Sequence, residues 1–227
     1  MKAIVLAAGK GERMLPLTQD VPKPLLQVGG LSLIGHQLLR LASNGITEIV
    51  INHSWLGEKI EMALGDGSKL GVSIAWSCED EPLETAGGII KALPLLQGDV
   101  ISNSFISVNA DIWTDYPYKK LPSLDDSNLL AWLVLVDNPP HHPEGDFVLS
   151  NDRVAESEGD QKRLTFSGIS VFHPDLFAGV KPGKQSVVPL LKQAMREGKV
   201  GGEYFQGQWF DIGTPERLQA LDEMLSN

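Results

Sequence analysis

The chain has 227 residues, a formal net charge of −10, 42% hydrophobic residues and a single cysteine. This length and composition predict a globular protein with a substantial core, and the acidic balance argues against a surface for nucleic acids or anionic membranes. The lone Cys78, which we expect to be buried or half-buried, excludes an internal disulfide and a zinc site built from several cysteines. The N-terminal apolar run is too short for a signal peptide or a membrane span, which predicts a cytoplasmic protein.

Apolar runs alternate with helical patterns through the first half of the chain. The predicted strands are 3–7, 48–51, 72–76 and 105–108, and the predicted helices are 33–42, 58–64 and 86–96. Such alternation implies βαβ units and a largely parallel sheet. Ligands of such sheets bind beyond the carboxyl ends of the strands, where both the loop after the first strand and Asp111 fall.

The second half is less regular. Strands are predicted at 129–136 and 164–172, and helices at 187–195 and from Pro215 onward, with Thr214 as the N-cap of the last helix. Gly168, inside the second of these strands, predicts a bulge or the close approach of a ligand. No repeat or low-complexity linker interrupts the chain. We therefore expect a single α/β domain over residues 1–227, with a Rossmann-like, mixed and mainly parallel sheet flanked by helices.

The loop after the first strand, within residues 6–25 (LAAGKGERMLPLTQDVPKPL), has the composition of an anion-binding loop. Gly9 and Gly11 allow backbone amides to approach an anion closely, and Arg13 adds a planar, permanently charged fork that suits phosphate. The glycines by themselves are also compatible with a plain tight turn. The loop lacks the Gly-Lys-Ser/Thr ending of a Walker A loop, and Met14 stands where a dinucleotide fingerprint has its third glycine.

Lys23 distinguishes this loop from a plain turn. It lies between Pro22 and Pro24, which restrict the backbone on both sides. A lysine held in this way is placed for a contact, whereas most lysines are solvated. Together with Arg13, Lys23 predicts a local, concave anion site in an otherwise acidic chain.

Five segments, in this order along the chain, resemble the motifs of the sugar-1-phosphate nucleotidylyltransferases. They are 6–25, with Gly-x-Gly-x-Arg followed by Lys-Pro, then 84–88 (ETAGG), 109–111 (NAD), 166–169 (FSGI) and 209–215 (WFDIGTP). The resemblance extends along the whole chain. It implies the nucleotide-diphospho-sugar transferase fold, with a nucleotide-binding half at 1–110 and a sugar-binding half at 111–227. It also implies an enzyme in which a sugar 1-phosphate attacks the α-phosphorus of a nucleoside triphosphate and pyrophosphate leaves.

The resemblance assigns roles around the phosphates. Asp111 and Asp211 would hold Mg²⁺, a hard ion that suits carboxylates and phosphates. Arg13 would bind the departing β- and γ-phosphates, and Lys23 would contact the α-phosphate or the sugar phosphate, so the implied catalytic residues are Arg13, Lys23 and Asp111. The implied nucleotide-binding residues are Ala8, Gly9, Gly11, Glu12, Arg13, Lys23 and Gly87. Taken alone, Asp111 is also compatible with a helix cap or a turn.

The sugar side departs from the family pattern at one position. The implied substrate-binding residues are Asn109, Gly145, Glu156 and Gly168. Many relatives have a lysine directly after the glutamate, where it contacts the sugar phosphate, but Ser157 occupies that position here. Lys162 or Arg163 could take the place of that lysine or be solvated. This departure weakens an assignment to the glucose-1-phosphate thymidylyltransferase branch.

Four segments are similar to one branch of the family, which uses UTP and N-acetylmuramic acid α-1-phosphate in bacterial cell-wall recycling. They are 52–57 (NHSWLG), 81–85 (EPLET), 111–115 (DIWTD) and 166–170 (FSGIS). The implied partners are therefore UTP and this sugar 1-phosphate, with no nucleic acid and no membrane. Ala86, near the base, stands where that branch is expected to have glycine.

Other functions remain open at this point. Within the family, the alternatives are glucose, mannose or galactose 1-phosphate as the sugar, or choline phosphate with CTP. Outside it, a nucleotide-sugar-dependent glycosyltransferase would need a strand-end Asp-x-Asp, and Asn109 occupies its first position. A catalytically inactive sugar-nucleotide sensor would not need the complete set of Arg13, Lys23, Asp111 and Asp211.

We expect no metal site at the histidines and no base-stacking role for the tryptophans. His141 and His142 lie in a proline-bearing loop, and a zinc site would need a third ligand at metal spacing, which the sequence does not offer. We expect solvated or hydrogen-bonded histidines that could face the sugar. The tryptophans at 55, 113 and 209 are interpreted as packing anchors rather than base-stacking platforms.

Overall fold

The computed structural model describes residues 1–97, 103–157, 159 and 161–226. These residues form a central sheet with helices on its two faces. In chain order the strands are β1 (Ala3–Leu6), β2 (Gln27–Val28), β3 (Leu31–Ser32), β4 (Glu48–His53), β5 (Ser73–Cys78), β6 (Phe105–Asn109), β7 (Ile112–Thr114), β8 (Ala131–Val136), β9 (Val148–Ser150), β10 (Arg153–Ala155), β11 (Thr165–Phe172), β12 (Val200–Tyr204) and β13 (Trp209–Asp211). The α-helices are α1 (Leu33–Ser43), α2 (Gly57–Leu64), α3 (Glu84–Leu96), α4 (Val188–Arg196) and α5 (Pro215–Ser226).

Nine of these strands form one sheet in the order β5-β4-β1-β6-β11-β8-β12-β10-β9. The pairings within β5-β4-β1-β6 are parallel, as is the β8–β12 pair, whereas β10 and β11 are antiparallel to both of their neighbours. Every strand of this sheet except β10 and β11 therefore points in the same direction. The prediction of a mixed, mainly parallel α/β sheet is confirmed.

Helices cover both faces of the sheet because successive side chains of a strand point to opposite faces. In β1, Ala3 and Val5 belong to the apolar core under α1 and α2, whereas Ile4 belongs to the core under α3 and α4. A third apolar cluster joins Met14, in the loop after β1, to Leu221 of α5. The C-terminal helix is therefore packed against the loop that the sequence analysis singled out.

The predicted long elements are confirmed, with ends that differ by at most two residues. Gly168 has φ +80°, and the β11–β8 register shifts between Phe166 and Ile169, which confirms the predicted bulge. The sequence does not predict the short strands, because two or three residues show no periodicity. It also misses β12, whose pattern is broken by two glycines. Trp132 lies across Gly201, where a Cβ atom would come within 2.6 Å of the indole ring.

One burial prediction is wrong. Cys78 is exposed, at the end of β5, because β5 is the edge strand of the sheet and lacks a neighbour on its outer side. Among the described residues, no helix is both long and apolar enough to cross a bilayer. The division of the domain between residues 110 and 111 stays a prediction, and residue 227 lies outside the described residues.

Candidate active site

The carboxyl ends of β1, β4, β5 and β6 meet at one edge of the sheet, because these strands are parallel. The loops that follow them enclose a cavity of about 830 Å³. Its lining consists of 9–14, Lys23, 54–56, 80–82, Asp111, Lys184 and Gly213. The glycine loop, the Pro-Lys-Pro unit and the strand-end aspartate therefore contribute to one cavity.

The loop after β1 curls over Lys23, and Gly11 is the residue that permits the curl. Gly11 has φ +66°, in the left-handed region that favours glycine. A Cβ atom on Gly11 would lie 3.0 Å from Cβ of Lys23 and 3.1 Å from Cγ2 of Thr18. The Thr18 hydroxyl donates a hydrogen bond to the Gly11 carbonyl at 2.8 Å, which closes the curl. Gly9, in contrast, lines the cavity and has no atom within 4 Å of the place where its Cβ would be.

Lys23 is buried and paired. Its side chain is 10% exposed, and its Nζ atom lies 2.5 Å from Oδ2 of Asp111. Pro22 is extended (φ −63°, ψ 139°), and Lys23 then begins a short 3-10 turn with Pro24. Lys23 is therefore held in a specific contact, here with Asp111, and its expected contact with a phosphate stays a prediction. Removing either partner of this pair would leave an uncompensated, partly buried charge.

Asp111 and Asp211 are brought together by the two-stranded ladder of β7 and β13. In this ladder Asp211 pairs with Ile112, and the Ile212 amide donates to the Asp111 carbonyl at 2.8 Å. The backbones of two aspartates that are 100 positions apart in the sequence are therefore adjacent, with Asp111 directly before β7 and Asp211 at the end of β13. Asp111 lines the 830 Å³ cavity and could hold a divalent cation beside a ligand there, whereas Asp211 is not in the described lining.

The Asp211 carboxylate has two partners that the sequence analysis did not connect with it. Oδ2 accepts a hydrogen bond from Arg217, and Oδ1 lies 2.9 Å from Nε2 of His141. Nη1 of Arg217 is also 2.7 Å from the same His141 nitrogen. A Cβ atom on Gly213 would collide with the Arg217 guanidinium, so the glycine leaves room for this ion pair. His141 therefore contacts a predicted metal ligand, and the expectation of a hydrogen-bonded histidine is confirmed.

A second cavity, of about 440 Å³, lies beside the carboxyl end of β6. Three of the four predicted sugar-binding residues line it, namely Asn109, Gly145 and Gly168. Asn109 also lines a smaller cleft together with Lys23 and Asp111. The second cavity is therefore adjacent to the Lys23–Asp111 pair.

Glu156, the fourth predicted sugar-binding residue, is not in the lining of this cavity. Its carboxylate accepts from Lys192 at 2.8 Å and from Arg196 at 3.0 Å, both on α4. The hydrogen bond from Lys192, helped by the charge of Arg196, lowers the pKa of Glu156 below its usual value. Lys162 pairs instead with Asp137 at 3.9 Å, far out on the surface. Lys192, which the sequence analysis missed, is the lysine that does line the cavity.

Gly87 has a structural reason to be glycine. A Cβ atom there would collide with the backbone carbonyl of Gly183, and the Gly87 amide donates to the Gln185 carbonyl at 3.2 Å. Gly87 therefore lets α3 pack against the 183–185 segment. Its role in nucleotide binding stays a prediction. A smaller cavity of about 310 Å³ beside it is lined by Ala8, Glu84 and Thr85, among others.

A buried carboxylate supports the loop between β5 and α3. Glu79 is 2% exposed, and its two oxygens accept from Asn52 Nδ2 at 2.6 Å and from the Leu83 amide at 2.9 Å. Oδ1 of Asn52 in turn accepts from the Ala7 amide at 2.9 Å. This network connects the ends of β1, β4 and β5. An asparagine inside an apolar strand run was the signal in the sequence that could have revealed it.

The interpretation of the tryptophans holds for two of three positions. Trp113 is buried in the cluster with Met14, and Trp209 donates its indole N–H to the Ser167 carbonyl at 2.9 Å. Trp55 is 46% exposed and lines the 830 Å³ cavity, so its interpretation as a packing anchor is wrong. The physical reason is its position in the short loop between β4 and α2, which lies at the open edge of the sheet.

Replacing Gly168 by alanine should cost about 1–3 kcal/mol of unfolding free energy and weaken the 440 Å³ site. Gly168 has φ +80°, and a Cβ atom there would lie 2.7 Å from Nδ2 of Asn109. The matched control is Gly179→Ala, where φ is +74° and an added Cβ atom would have no neighbour within 4 Å. Urea unfolding measures both variants. Equal losses of stability would contradict a close contact with Asn109, because both changes impose the same backbone strain.

Comparisons with known proteins agree with the motifs. The family model described as nucleotidyl transferase matches residues 2–226. A relative from Neisseria meningitidis serogroup B, an N-acetylmuramate alpha-1-phosphate uridylyltransferase, is 48% identical over 225 residues, with 96% of each chain covered. A protein of the same name from Caulobacter vibrioides is 31% identical over 237 residues, with 99% of this chain and 96% of that protein covered.

The fold has solved counterparts. The inositol-1-phosphate CTP transferase from T. maritima matches with a TM-score of 0.77 at 23% sequence identity, covering 99% of this chain and 94% of that one. At this identity the likeness concerns the fold. The family model and the relatives, which span nearly the whole chain, confirm the resemblance to the sugar-1-phosphate nucleotidylyltransferases. This chain belongs to the nucleotidyl transferase family.

Proposed function

We propose that this chain transfers a uridylyl group from UTP to N-acetylmuramic acid α-1-phosphate and releases pyrophosphate, as a step of peptidoglycan recycling. The observation that carries the proposal is the buried Lys23–Asp111 pair, at 2.5 Å, in the wall of a cavity that also contains Arg13 and the Gly9–Gly11 loop. The choice of substrates is supported by the relative from Neisseria meningitidis, which is 48% identical and carries that activity in its name.

In this proposal the chemistry is one displacement at phosphorus. A sugar 1-phosphate needs no general base, because the second pKa of a phosphate monoester is about 6 and the attacking oxygen is already ionised. The protein therefore contributes position and charge rather than a covalent nucleophile. Arg13 would bind the β- and γ-phosphates that leave, and Lys23 would donate to the α-phosphate. The open Gly9 and the neighbouring Ala8, Gly11 and Glu12 would border the triphosphate.

Mg²⁺ is the proposed cofactor, and the residues fit it. The lining of the 830 Å³ cavity has as many carboxylates as cations: Glu12, Asp80, Glu81 and Asp111 against Lys10, Arg13, Lys23 and Lys184. These side chains alone do not offset the several negative charges of a triphosphate. Among the described residues, no group of three or more His, Cys, Asp or Glu side chains is arranged for a metal. Two carboxylates suit Mg²⁺, which usually takes one or two together with waters and substrate phosphates.

Asp111 and Asp211 would hold this ion. When bound, Mg²⁺ would neutralise the charge on the reacting phosphates. Lys23 keeps the Asp111 carboxylate in place, and Arg217 does the same for Asp211. The sugar would occupy the 440 Å³ cavity, with Asn109 and Gly168 against it. The direct contact of Glu156 with the sugar and the cytoplasmic location stay predictions.

The substrate assignment predicts the result of one set of assays. Each of four nucleoside triphosphates is combined with the 1-phosphates of N-acetylmuramic acid, N-acetylglucosamine, glucose, mannose and galactose, and with choline phosphate. Release of pyrophosphate should be fastest with UTP and N-acetylmuramic acid 1-phosphate. It should stop when a chelator is added and return with Mg²⁺.

The same assays contain the outcomes that would contradict the proposal. Faster release with GTP and mannose 1-phosphate, or with any other pair, would replace the proposed substrates. Full activity in the presence of the chelator would remove the metal from the mechanism. No release with any pair would contradict nucleotidyl transfer altogether.

A further inference from the structure

The 440 Å³ cavity has a cation at its wall that the transfer reaction leaves unexplained. Asp146 and Lys192 are the charged residues of its described lining, and the aromatic side chains Phe147, Phe166 and Phe172 form much of the remainder. Both oxygens of Asp146 are already used. Oδ2 accepts from the Phe166 amide at 2.8 Å, and Oδ1 lies 3.0 Å from Nε2 of His142. Lys192 is therefore the charged group available to a ligand in this cavity.

Lys192 is not neutralised by its protein partner. Glu156 is shared between Lys192, at 2.8 Å from one oxygen, and Arg196, at 3.0 Å from the other. The two cations lie one turn apart on α4, and together with the single carboxylate they form a group with a net charge of +1. Lys192 lines the cavity and Arg196 does not. Lys192 is thus the member of this group that borders the cavity, where Asp146 is the other charged residue of the described lining.

This cation is separate from the phosphate groups. Arg13, Lys23 and Asp111 line the 830 Å³ cavity, and none of the three lines the 440 Å³ cavity. Asn109 lines both the 440 Å³ cavity and the small cleft that contains Lys23 and Asp111. A sugar with its 1-phosphate at Lys23 and Asp111 would therefore extend past Asn109 towards Lys192. A second anionic group on that sugar would lie in the cavity that Lys192 lines.

We propose that Lys192 binds the carboxylate of the lactyl ether of the sugar substrate and so determines specificity for N-acetylmuramic acid. This inference rests on the proposed function, because it assumes a sugar 1-phosphate in the 440 Å³ cavity. The lactyl carboxylate is ionised at neutral pH. A hydrogen bond between an ammonium and a carboxylate discriminates against a neutral analogue by about ten- to hundred-fold.

The test compares two substrates that differ in one charge: N-acetylmuramic acid α-1-phosphate and the same compound with its lactyl carboxylate converted to the amide. The measured quantity is the ratio of kcat/KM for the acid to kcat/KM for the amide, with UTP and Mg²⁺. The wild-type ratio should be about ten- to hundred-fold. Lys192→Gln should bring the ratio close to one, and Lys192→Arg should restore most of it.

Arg196→Gln is the matched control. Arg196 binds the same Glu156 from the same helix but does not line the cavity. Its replacement leaves Glu156 to Lys192 alone, so the ratio should fall only in part and stay well above that of Lys192→Gln. A wild-type ratio near one, or a high ratio that survives in Lys192→Gln, would overturn the inference. Equal losses in the Lys192 and Arg196 variants would also overturn it, since the effect would then act through Glu156.

The two proposals fail in distinguishable ways. If the wild type uses the acid and the amide equally well, the proposed reaction stands and the role of Lys192 is wrong. If it uses neither compound but accepts another sugar 1-phosphate, the proposed substrate is wrong and the inference about Lys192 is overturned with it. Thermal unfolding of each variant checks that the fold is retained.

Discussion

Asparagine in place of Asp111 should lower kcat by at least about 10²- to 10³-fold while the protein still folds. The expected cause is loss of the negative charge that would hold Mg²⁺ against the reacting phosphates, and Asp211→Asn should have a similar effect. Asn is close to Asp in size, and its amide oxygen still accepts hydrogen bonds. Steady-state release of pyrophosphate at increasing Mg²⁺ measures the loss, which excess Mg²⁺ should relieve in part.

Asp115→Asn serves as the control for both changes. Asp115 follows β7, and its Oδ1 atom accepts from the Gln208 amide at 2.8 Å, a bond that an asparagine oxygen can keep. Asp115 does not line the cavity that contains Asp111. Its replacement should leave kcat within about twofold. Wild-type kinetics in either the Asp111 or the Asp211 variant would remove that residue from the proposed metal site.

Methionine in place of Lys23 should also lower kcat, by about 10²- to 10³-fold. Methionine keeps most of the aliphatic stem that packs under the glycine loop but lacks the ammonium group, so the developing charge on the phosphates is no longer offset. The change also leaves Asp111 without its partner at 2.5 Å. Pre-steady-state measurements of the chemical step, together with the KM for UTP, separate a loss of catalysis from a loss of binding.

Coupling between the two residues gives a sharper test than either change alone. Because Lys23 and Asp111 contact each other, Lys23→Met should cost less in the Asp111→Asn background than in the wild type. The exposed Lys120→Met should be nearly neutral and controls for the general loss of a lysine. Strict additivity of the two changes would argue that the ion pair has no functional part.

Periodicity and loop chemistry were sufficient to predict the long elements. The apolar strands at 3–7, 48–51 and 105–108 and the helix faces between them lie where expected, since their burial patterns repeat over enough residues to be recognised. The short strands β7 and β13 could not be predicted in this way. Their three residues each show no period, although their pairing is what brings Asp211 beside Asp111.

The sequence predicted the phosphate end of the site more completely than the sugar end. At the phosphate end, Gly11, Lys23 and Asp111 fall together because each follows the carboxyl end of a parallel strand or packs on that loop. At the sugar end, the contact of Glu156 with the sugar stays a prediction, and its carboxylate is held by two cations of α4. Ser157 had indicated a missing lysine, and only the packing of α4 against β10 reveals Lys192 at the cavity.

The sequence by itself determined the kind of chemistry. The residue types that suit phosphate, and their local spacing, are properties of the chain. They are two glycines, Arg13, and a lysine between two prolines. The tertiary structure decided which distant groups act together. Asp111 and Asp211 are 100 positions apart, Arg217 reaches Asp211 from the first turn of α5, and Lys192 lies 36 positions beyond Glu156. Such approaches depend on the pairing of short strands and the docking of helices, which are set by the packing of the whole core rather than by any local pattern.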